Sequence, residues 1–482
     1  MILKRFYDEP LAHASYLIGC PGAGEAIVVD PNRDLSQYIE AAAAEGMRIA
    51  GVTETHIHAD YASGSLELAE RTGATLYLSD EGDADWKYAF ADRPFVRLVK
   101  NGDEIRVGMV RLEVLHTPGH TPEHLSFLVT DEATDDLPFC ALTGDFIFVG
   151  DVGRPDLLER AAGIVGAMDQ GARSLFRSIQ KFKQLPESLL LWPGHGAGSP
   201  CGKSLGGVPA STLAYELRSN WALKITDEDR FVEDVLAGQP APPTYYKEMK
   251  RLNKVGAAPV GSLGAPPRLG GLQMLDLLER GETIVDARSI PEAQAGSPVG
   301  TLNIPLGKSF SSWSGWLLPY DRPIYILASS EDDAAKVKRS LALIGLDDVP
   351  AWFGSDALSA YVERFGSLVA TPQMSVDQFL PSSDEFTVLD VRNPSETALG
   401  AIPNALNIPL GHLESRIDEV PQDKPLVIHC AGGTRSSMAI SLLRRHGIED
   451  TVNLVGGYSA YQKSLRAAKD RSEFLAPLGG EG

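Results

Sequence analysis

Apolar residues along this chain gather in short runs, and stretches with helical periodicity follow many of them. Ala26–Asp30 and Ile49–Thr53 have the continuous apolar character of buried strands, while Leu35–Ala44 and Ser65–Arg71 carry helical spacing. Val110–Thr117, Leu125–Val129 and Phe139–Thr143 extend the β pattern. Near the C-terminus Pro425–His429 predicts a buried parallel strand. Ser437–His446, closed by Gly447, predicts the amphipathic helix after it. Strands alternating with helices predict an α/β protein.

The periodic pattern lapses twice. Residues 256–271 are rich in Gly and Pro and read as a linker, and a second break falls near Gly366–Pro372. The chain repeats itself around the second break. Val285-Asp286-Ala287-Arg288 matches Leu389-Asp390-Val391-Arg392, and Leu302–Gly307 matches Leu406–Gly411, both at an offset of 104 residues (Asp286 to Asp390, Leu302 to Leu406). Each copy then runs into an apolar strand after Pro323 or Pro425. That alignment sets Ala328 against Cys430 and Asp333 against Arg435.

Composition narrows the class. At 482 residues the chain has room for two to four domains, and 43% hydrophobic with 22% charged residues describes an ordinary soluble protein. A formal charge of −20 argues against nucleic acid or anionic membrane as partners. No apolar run is long enough to cross a bilayer, and the charged N-terminus leaves no room for a signal core. Four cysteines in so long a chain make no disulfide framework, which places it in a reducing cytoplasm.

The sharpest chemistry lies in Cys430-Ala-Gly432-Gly433-Thr434-Arg435-Ser436, between the predicted strand and helix. Backbone N–H groups curling round a thiol at a helix N-terminus form an anion nest, and Arg435 adds a positive charge, so the thiol pKa should fall. Four residues separate Cys430 from Arg435, where cysteine phosphatases with this kind of cradle have five; the tighter loop suits sulfur. The segment resembles the rhodanese sulfurtransferases, in which this cysteine carries a persulfide. The resemblance implies that Cys430 and Arg435 are catalytic and that Gly432, Gly433 and Thr434 bind substrate. The copy at 272–365 contains no cysteine and reads as an inactive rhodanese-like domain, and 373–476 as the active one.

Residues 1–255 carry four polar clusters at predicted strand ends: Thr55–Tyr61, Thr117–Thr121, Thr143–Asp145 and Pro193–Gly196. Histidines and carboxylates on such loops are how α/β proteins assemble metal sites. In this order the clusters resemble the metallo-β-lactamase fold, an αββα sandwich. Two-metal members read His-x-His-x-Asp-His, whereas this chain has Tyr61 at the last position, which favours one metal. The branch most resembled, the persulfide dioxygenases, implies one Fe(2+) per chain held by His56, His120 and Asp145, a facial set with positions open for substrate and O₂. His58, Asp60, Tyr61 and His195 are then expected to orient the ligands, His195 also being able to bind metal. Arg154 is a candidate for an anionic substrate, with a structural salt bridge as the other reading. Asp30 reads as a turn residue, and His116 and His124 as packing or supporting groups. Cys140 reads as core and Cys20 as structural.

Cys201, six residues after His195 in a glycine-rich loop, has two readings. Exposed beside Lys203 it would be thiolate-prone and catalytic, receiving sulfur or binding a persulfide; otherwise it is a buried small residue. Together the resemblances imply oxidation of a low-molecular-weight thiol persulfide (glutathione or coenzyme A type) by O₂ to sulfite. Cys430 would then exchange sulfane sulfur with sulfite or thiosulfate. The alternative is a zinc metallohydrolase, a thioesterase of the glyoxalase II type, fused to a sulfurtransferase. A homo-oligomer is compatible with such a chain.

Overall fold

The computed structural model describes residues 1–157, 159, 166–203, 205–239 and 241–474; residues 475 and 476 of the expected last domain lie outside them. The chain separates into two compact units. The first holds 1–263 with 339–347, and the second holds 264–338 and the remainder from 348.

The first unit is built on two six-stranded sheets. One runs in chain order through Ile2–Asp8 (β1), His13–Cys20 (β2), Glu25–Val29 (β3), Arg48–Thr53 (β4), Thr75–Ser79 (β5) and Val96–Val99 (β6). Between them lie helices Ser36–Ala44 (α1) and Ser65–Thr72 (α2). The other comprises Glu104–Val107 (β7), Val110–His116 (β8), Leu125–Asp131 (β9), Cys140–Gly144 (β10), Leu190–Pro193 (β11) and Ser211–Thr212 (β12), with β11 parallel to β10. Helix Ala167–Phe182 (α3) follows the second sheet's β10.

Side chains on a strand alternate between faces, and this rule explains how β2 and β3 can be buried on both. Ala14, Tyr16, Ile18, Ile27 and Val29 join Leu112, Val114, Phe127 and Leu142 between the sheets. Leu17, Ala26 and Val28 point the other way, against Tyr38 and Leu68 of the outer helices. On the far side Ala172, Leu175 and Ile179 of α3 cover Leu128, Ala141 and Leu191. The layers therefore read helix, sheet, sheet, helix, which is the expected sandwich. Each large apolar side chain fully withdrawn from water contributes roughly 1.5–3 kcal/mol, so the inter-sheet layer holds the rims of both sheets in place.

The second unit contains two separate parallel sheets. Thr283–Asp286 (β13), Leu302–Asn303 (β14), Ile324–Leu327 (β15) and Trp352–Phe353 (β16) form one. Gln373–Met374 (β17), Thr387–Asp390 (β18), Leu406–Asn407 (β19), Leu426–His429 (β20) and Thr451–Leu454 (β21) form the other. The repeat seen in sequence is a repeat of register: Asp286 pairs with Asn303 and Leu327, and Asp390 with Asn407 and His429. Its function is local. Each buried Asp holds the Arg two residues on (Asp286–Arg288 and Asp390–Arg392, both 2.6 Å). Each Asn amide donates to the backbone carbonyls of that Asp and Arg.

At the Cys430-equivalent turn of the first copy stands buried Ala328. There Ser330 Oγ accepts from the Asp333 N–H and donates to its carboxylate, which makes the turn an ordinary helix cap. The expected linker also ends earlier than its composition implies, since the Leu269 N–H already donates to the Trp352 carbonyl.

Candidate metal centre and thiol cradle

In the first unit β8, β10 and β11 point the same way, because β9 runs antiparallel to both β8 and β10 while β11 is parallel to β10. Their ends deliver His120, Asp145 and His195 to one rim, where the turn after β4 brings Thr55 to Tyr61. His56, His120 and Asp145 are buried, and their donor atoms all lie within 4.8 Å of one another. His56 Nε2 and both Asp145 carboxylate oxygens lack a hydrogen-bond partner. A buried carboxylate facing bare imidazole nitrogens is costly unless something positive sits between them, and two histidines with one carboxylate are a donor set for a divalent metal. The residues fit a divalent metal ion. Burial pushes both the His56 and His120 pKa values down, so each ring enters as the neutral ligand form.

The far nitrogen of each ring is tied, which fixes its tautomer and aim. His120 Nδ1 donates to the Arg154 carbonyl at 3.0 Å, and His195 Nδ1 to the Ala12 carbonyl at 3.0 Å. His56 Nδ1 donates to Thr55 Oγ1 at 3.0 Å, and that hydroxyl donates to Asp30 Oδ2 at 2.9 Å. Asp30 also accepts the Thr55 N–H and faces His58 Nε2 at 3.1 Å. Asp30 is therefore more than the turn residue expected from sequence. It sits at φ +53° and anchors the whole His56 loop, a conformation Asp tolerates better than most residues.

His124 likewise has a role. Its Nε2 accepts the Asp145 N–H at 3.0 Å, and its ring stacks on His56 at 5.0 Å. Gly144, at φ +49°, leaves room for this arrangement, because a Cβ there would stand 2.8 Å from His124 Nε2. His116 stays outside, bonded to the Pro122 carbonyl.

Tyr61 turns away from the donors, its hydroxyl donating to the Asp30 carbonyl at 3.2 Å. His13 packs against it in a tilted arrangement, ring centroids 3.9 Å apart, buried with neither ring nitrogen partnered. Sequence reading missed His13, whose only signal is its place at the start of an apolar strand. A second trio, Asp60, His195 and Cys201, also brings its donor atoms within 4.8 Å of one another. His195 Nε2 lies 3.2 Å from Asp60 Oδ2 and 3.4 Å from Asp145 Oδ1, so this trio adjoins the first.

Two expectations are corrected. Cys201 is only 2% exposed, and burial, with Asp145 and Asp60 beside it, pushes its thiol well above the usual range. Lys203 does not help it, since its ammonium donates to the Asp234 carbonyl and lies over the Trp221 ring. The thiolate argument fails; the position beside the metal donors stands. Arg154, proposed for substrate, is fully buried, with Nε and Nη2 each 2.7 Å from an oxygen of Asp156 and Nη1 donating to the Pro200 carbonyl. Its guanidinium braces the loop that carries Cys201. Cys140 is core, with burial pushing its thiol to about 12, and Cys20 is buried.

In the second unit Cys430 directly follows β20 and Gly433, at φ +114°, opens the helix Thr434–Arg445. Gly432, Gly433 and Thr434 lie in the turn that follows Cys430, and the Gly433 N–H donates to Cys430 Sγ at 3.1 Å. Burial pushes this thiol up, but the backbone N–H groups of Ser436, Gly433 and Gly432 and the charge of Arg435 outweigh it and hold the pKa below the ordinary value. Arg435 is not free: Nη1 and Nη2 lie 2.5 and 2.7 Å from the two oxygens of Glu396, a residue the sequence reading did not single out. No helix among the described residues is long and apolar enough to cross a membrane.

Residues 8–195 match the metallo-beta-lactamase superfamily and residues 375–464 the rhodanese-like domain. The chain is 41% identical to a metallo-beta-lactamase from Staphylococcus aureus, a solved structure matched at TM-score 0.66 over 73% of this chain and 98% of that one. It is 30% identical to a probable metallo-hydrolase of Burkholderia pseudomallei over 48% of this chain and 83% of the relative. It is 25% identical to the mitochondrial persulfide dioxygenase of Bos taurus, over 48% of this chain and 78% of the relative. The protein is a member of the metallo-beta-lactamase superfamily that carries a rhodanese-like domain in its C-terminal part.

Proposed function

We propose that the first unit is a persulfide dioxygenase with one ferrous ion on His56, His120 and Asp145, and that the C-terminal domain is a sulfurtransferase acting through Cys430. The observation that carries this reading is the three-donor set with Tyr61 in place of the motif's last histidine, on one chain with an activated thiol. A ferrous ion there would supply O₂ activation next to the bound persulfide.

The balance of the reaction is simple. Four electrons leave the terminal sulfur for O₂, both oxygen atoms go to that sulfur, water supplies the third oxygen of sulfite, and the thiol departs. The chain's own part is to present neutral imidazoles and to hold their orientation from behind through Asp30, Thr55 and the Arg154 carbonyl. Burial of the whole rim keeps bulk water from competing.

At Cys430 the thiolate attacks the outer sulfur of a donor. A new S–S bond forms, the donor's S–S bond breaks, and the electron pair leaves with the thiolate or sulfite. Sulfite attacking the resulting persulfide would give thiosulfate and return the Cys430 thiolate. We further propose the division into 1–255, an inactive rhodanese-like 272–365, and 373–476. Carrying both activities on one chain raises the effective concentration of shared intermediates.

A second reading has a specific observation behind it. Asp60, His195 and Cys201 could hold another ion beside the first, as a two-zinc hydrolase would need. Metal analysis of anaerobically purified protein, with O₂ uptake on glutathione persulfide, separates the two. One iron per chain and persulfide-dependent uptake are expected. A zinc pair with no uptake would overturn the dioxygenase.

A further inference from the structure

Glu396 sits in the short helix Pro394–Thr397, after the Asp390–Arg392 pair of β18, and does two jobs at once. Its Oε2 accepts the Asn393 N–H at 3.0 Å, which caps its own helix. Both its oxygens also grip the Arg435 guanidinium, at 2.5 and 2.7 Å. Such a fork-to-fork pair fixes Arg435 in direction as well as in charge. The charge of the same guanidinium also acts on the Cys430 thiol, so one cation serves two anionic groups.

The inactive copy supplies an internal control. Glu292 occupies the corresponding turn, and there too it accepts the N–H of its cap residue, Ser289, at 3.1 Å. Among the described residues no arginine is hydrogen-bonded to it, although the charge of Arg288 is felt there, and its other oxygen takes a hydroxyl, that of Ser329 at 3.2 Å. The side-chain oxygen therefore serves the helix cap in both copies. Among the described residues, the copy with the thiol is the one in which this carboxylate forms a bidentate pair with an arginine.

We propose that Glu396 is a specificity-determining residue: by pairing with both terminal nitrogens of Arg435 it offsets that cation's charge, weakens its hold on sulfur oxyanions and biases Cys430 toward exchange with thiol persulfides. The proposal rests on the reading of Cys430 as a sulfane-sulfur carrier. Thiosulfate and sulfite carry up to two negative charges and have no group of their own to offset the Glu396 carboxylate. They meet a pair that is already neutral. A thiol persulfide brings at most one charge on its reacting sulfur and loses less. Both directions of the thiosulfate step share one transition state, so Glu396 weakens thiosulfate use and thiosulfate formation alike.

The test is Glu396→Gln in the full chain, which keeps a carbonyl oxygen for the Asn393 cap but removes the charge. The ratio of kcat/KM for thiosulfate to that for glutathione persulfide should rise about tenfold, the scale of one charge-assisted hydrogen bond in a partly exposed site. Cys430 alkylation by iodoacetamide should shift to lower pH, because Arg435 no longer divides its charge. Glu396→Asp, which keeps the charge, should stay near the wild-type ratio. An unchanged or lower ratio in Glu396→Gln would overturn the proposal, as would equal ratios in the Gln and Asp variants, which would assign the effect to shape. Wild-type protein that transfers no sulfur at all would instead refute the carrier reading, while the alkylation profile still tests Glu396 by itself.

Discussion

The relay behind His56 can be tested with one atom. Thr55 is fully buried; its Oγ1 accepts from His56 Nδ1 at 3.0 Å and donates to Asp30 Oδ2 at 2.9 Å. Thr55→Val keeps the branched shape and the backbone bonds, including the Thr55 N–H to Asp30 Oδ1 and the Thr55 carbonyl to the Leu125 N–H. What is lost is the hydroxyl bridge, leaving a buried imidazole N–H and a carboxylate oxygen without a partner between them. Each unsatisfied buried group costs roughly 1–3 kcal/mol, so folding stability should drop by about 2–4 kcal/mol after partial relaxation. The tautomer that leaves Nε2 bare is no longer enforced, and loss of such a supporting bond typically costs about 10- to 100-fold in metal affinity. The assay is anaerobic competition for Fe(2+) with a chromophoric chelator, paired with urea unfolding. Cys430 alkylation serves as a check on the second unit. Iron affinity within about twofold of wild type, in a variant that folds, would refute the relay, since variation on that scale lies below the effect argued here.

Three further outcomes follow from the same geometry. His120→Ala removes a donor and should abolish iron binding and O₂ uptake while leaving Cys430 alkylation at its wild-type rate; retained iron would mean the ligands are misassigned. Cys430→Ser should end sulfur transfer with O₂ uptake on added glutathione persulfide kept, and loss of both would refute independent sites. Among the four cysteines iodoacetamide should reach Cys430 first, because its pKa lies below the ordinary thiol value whereas burial pushes Cys201 and Cys140 up. Its rate should climb and level off at lower pH than that of a free thiol, and peptide mapping that finds Cys201 modified first would contradict the burial argument.

The Arg435–Glu396 pair also carries a pH signature of its own. The Glu396 carboxyl is held below the usual value chiefly by its hydrogen bonds from Arg435, against the opposing effect of burial. A depressed acid stabilises the fold above its unfolded pKa, and that contribution disappears as pH falls through the lower folded value. Stability of the second unit should therefore decline on the acid side of the ordinary carboxylate range, and less so in Glu396→Gln. Equal acid sensitivity of the two proteins would contradict the assignment.

Local pattern carried much of this protein. The apolar runs marked β3, β4, β8, β9, β10 and β20, because strands buried on both faces, and those such as β8 whose burial alternates, each have a composition of their own. Polar clusters at strand ends named His56, His120 and Asp145, because strand direction sends such loops to one rim. The Cys430 turn was legible because the nest is made by consecutive residues. Tertiary structure decided whatever depends on a partner far along the chain. It turned Asp30 from a turn residue into the anchor of a histidine loop, and it brought His13 against Tyr61. Cys201 lost its predicted thiolate to burial, and Arg154 was drawn onto the distant Pro200 carbonyl. Glu396 was set on Arg435 across 39 residues of sequence. Periodicity reports whether a side chain faces water or core, while charge state and hydrogen-bond partner depend on which other segment packs against it, and that choice is made only when the sheets close.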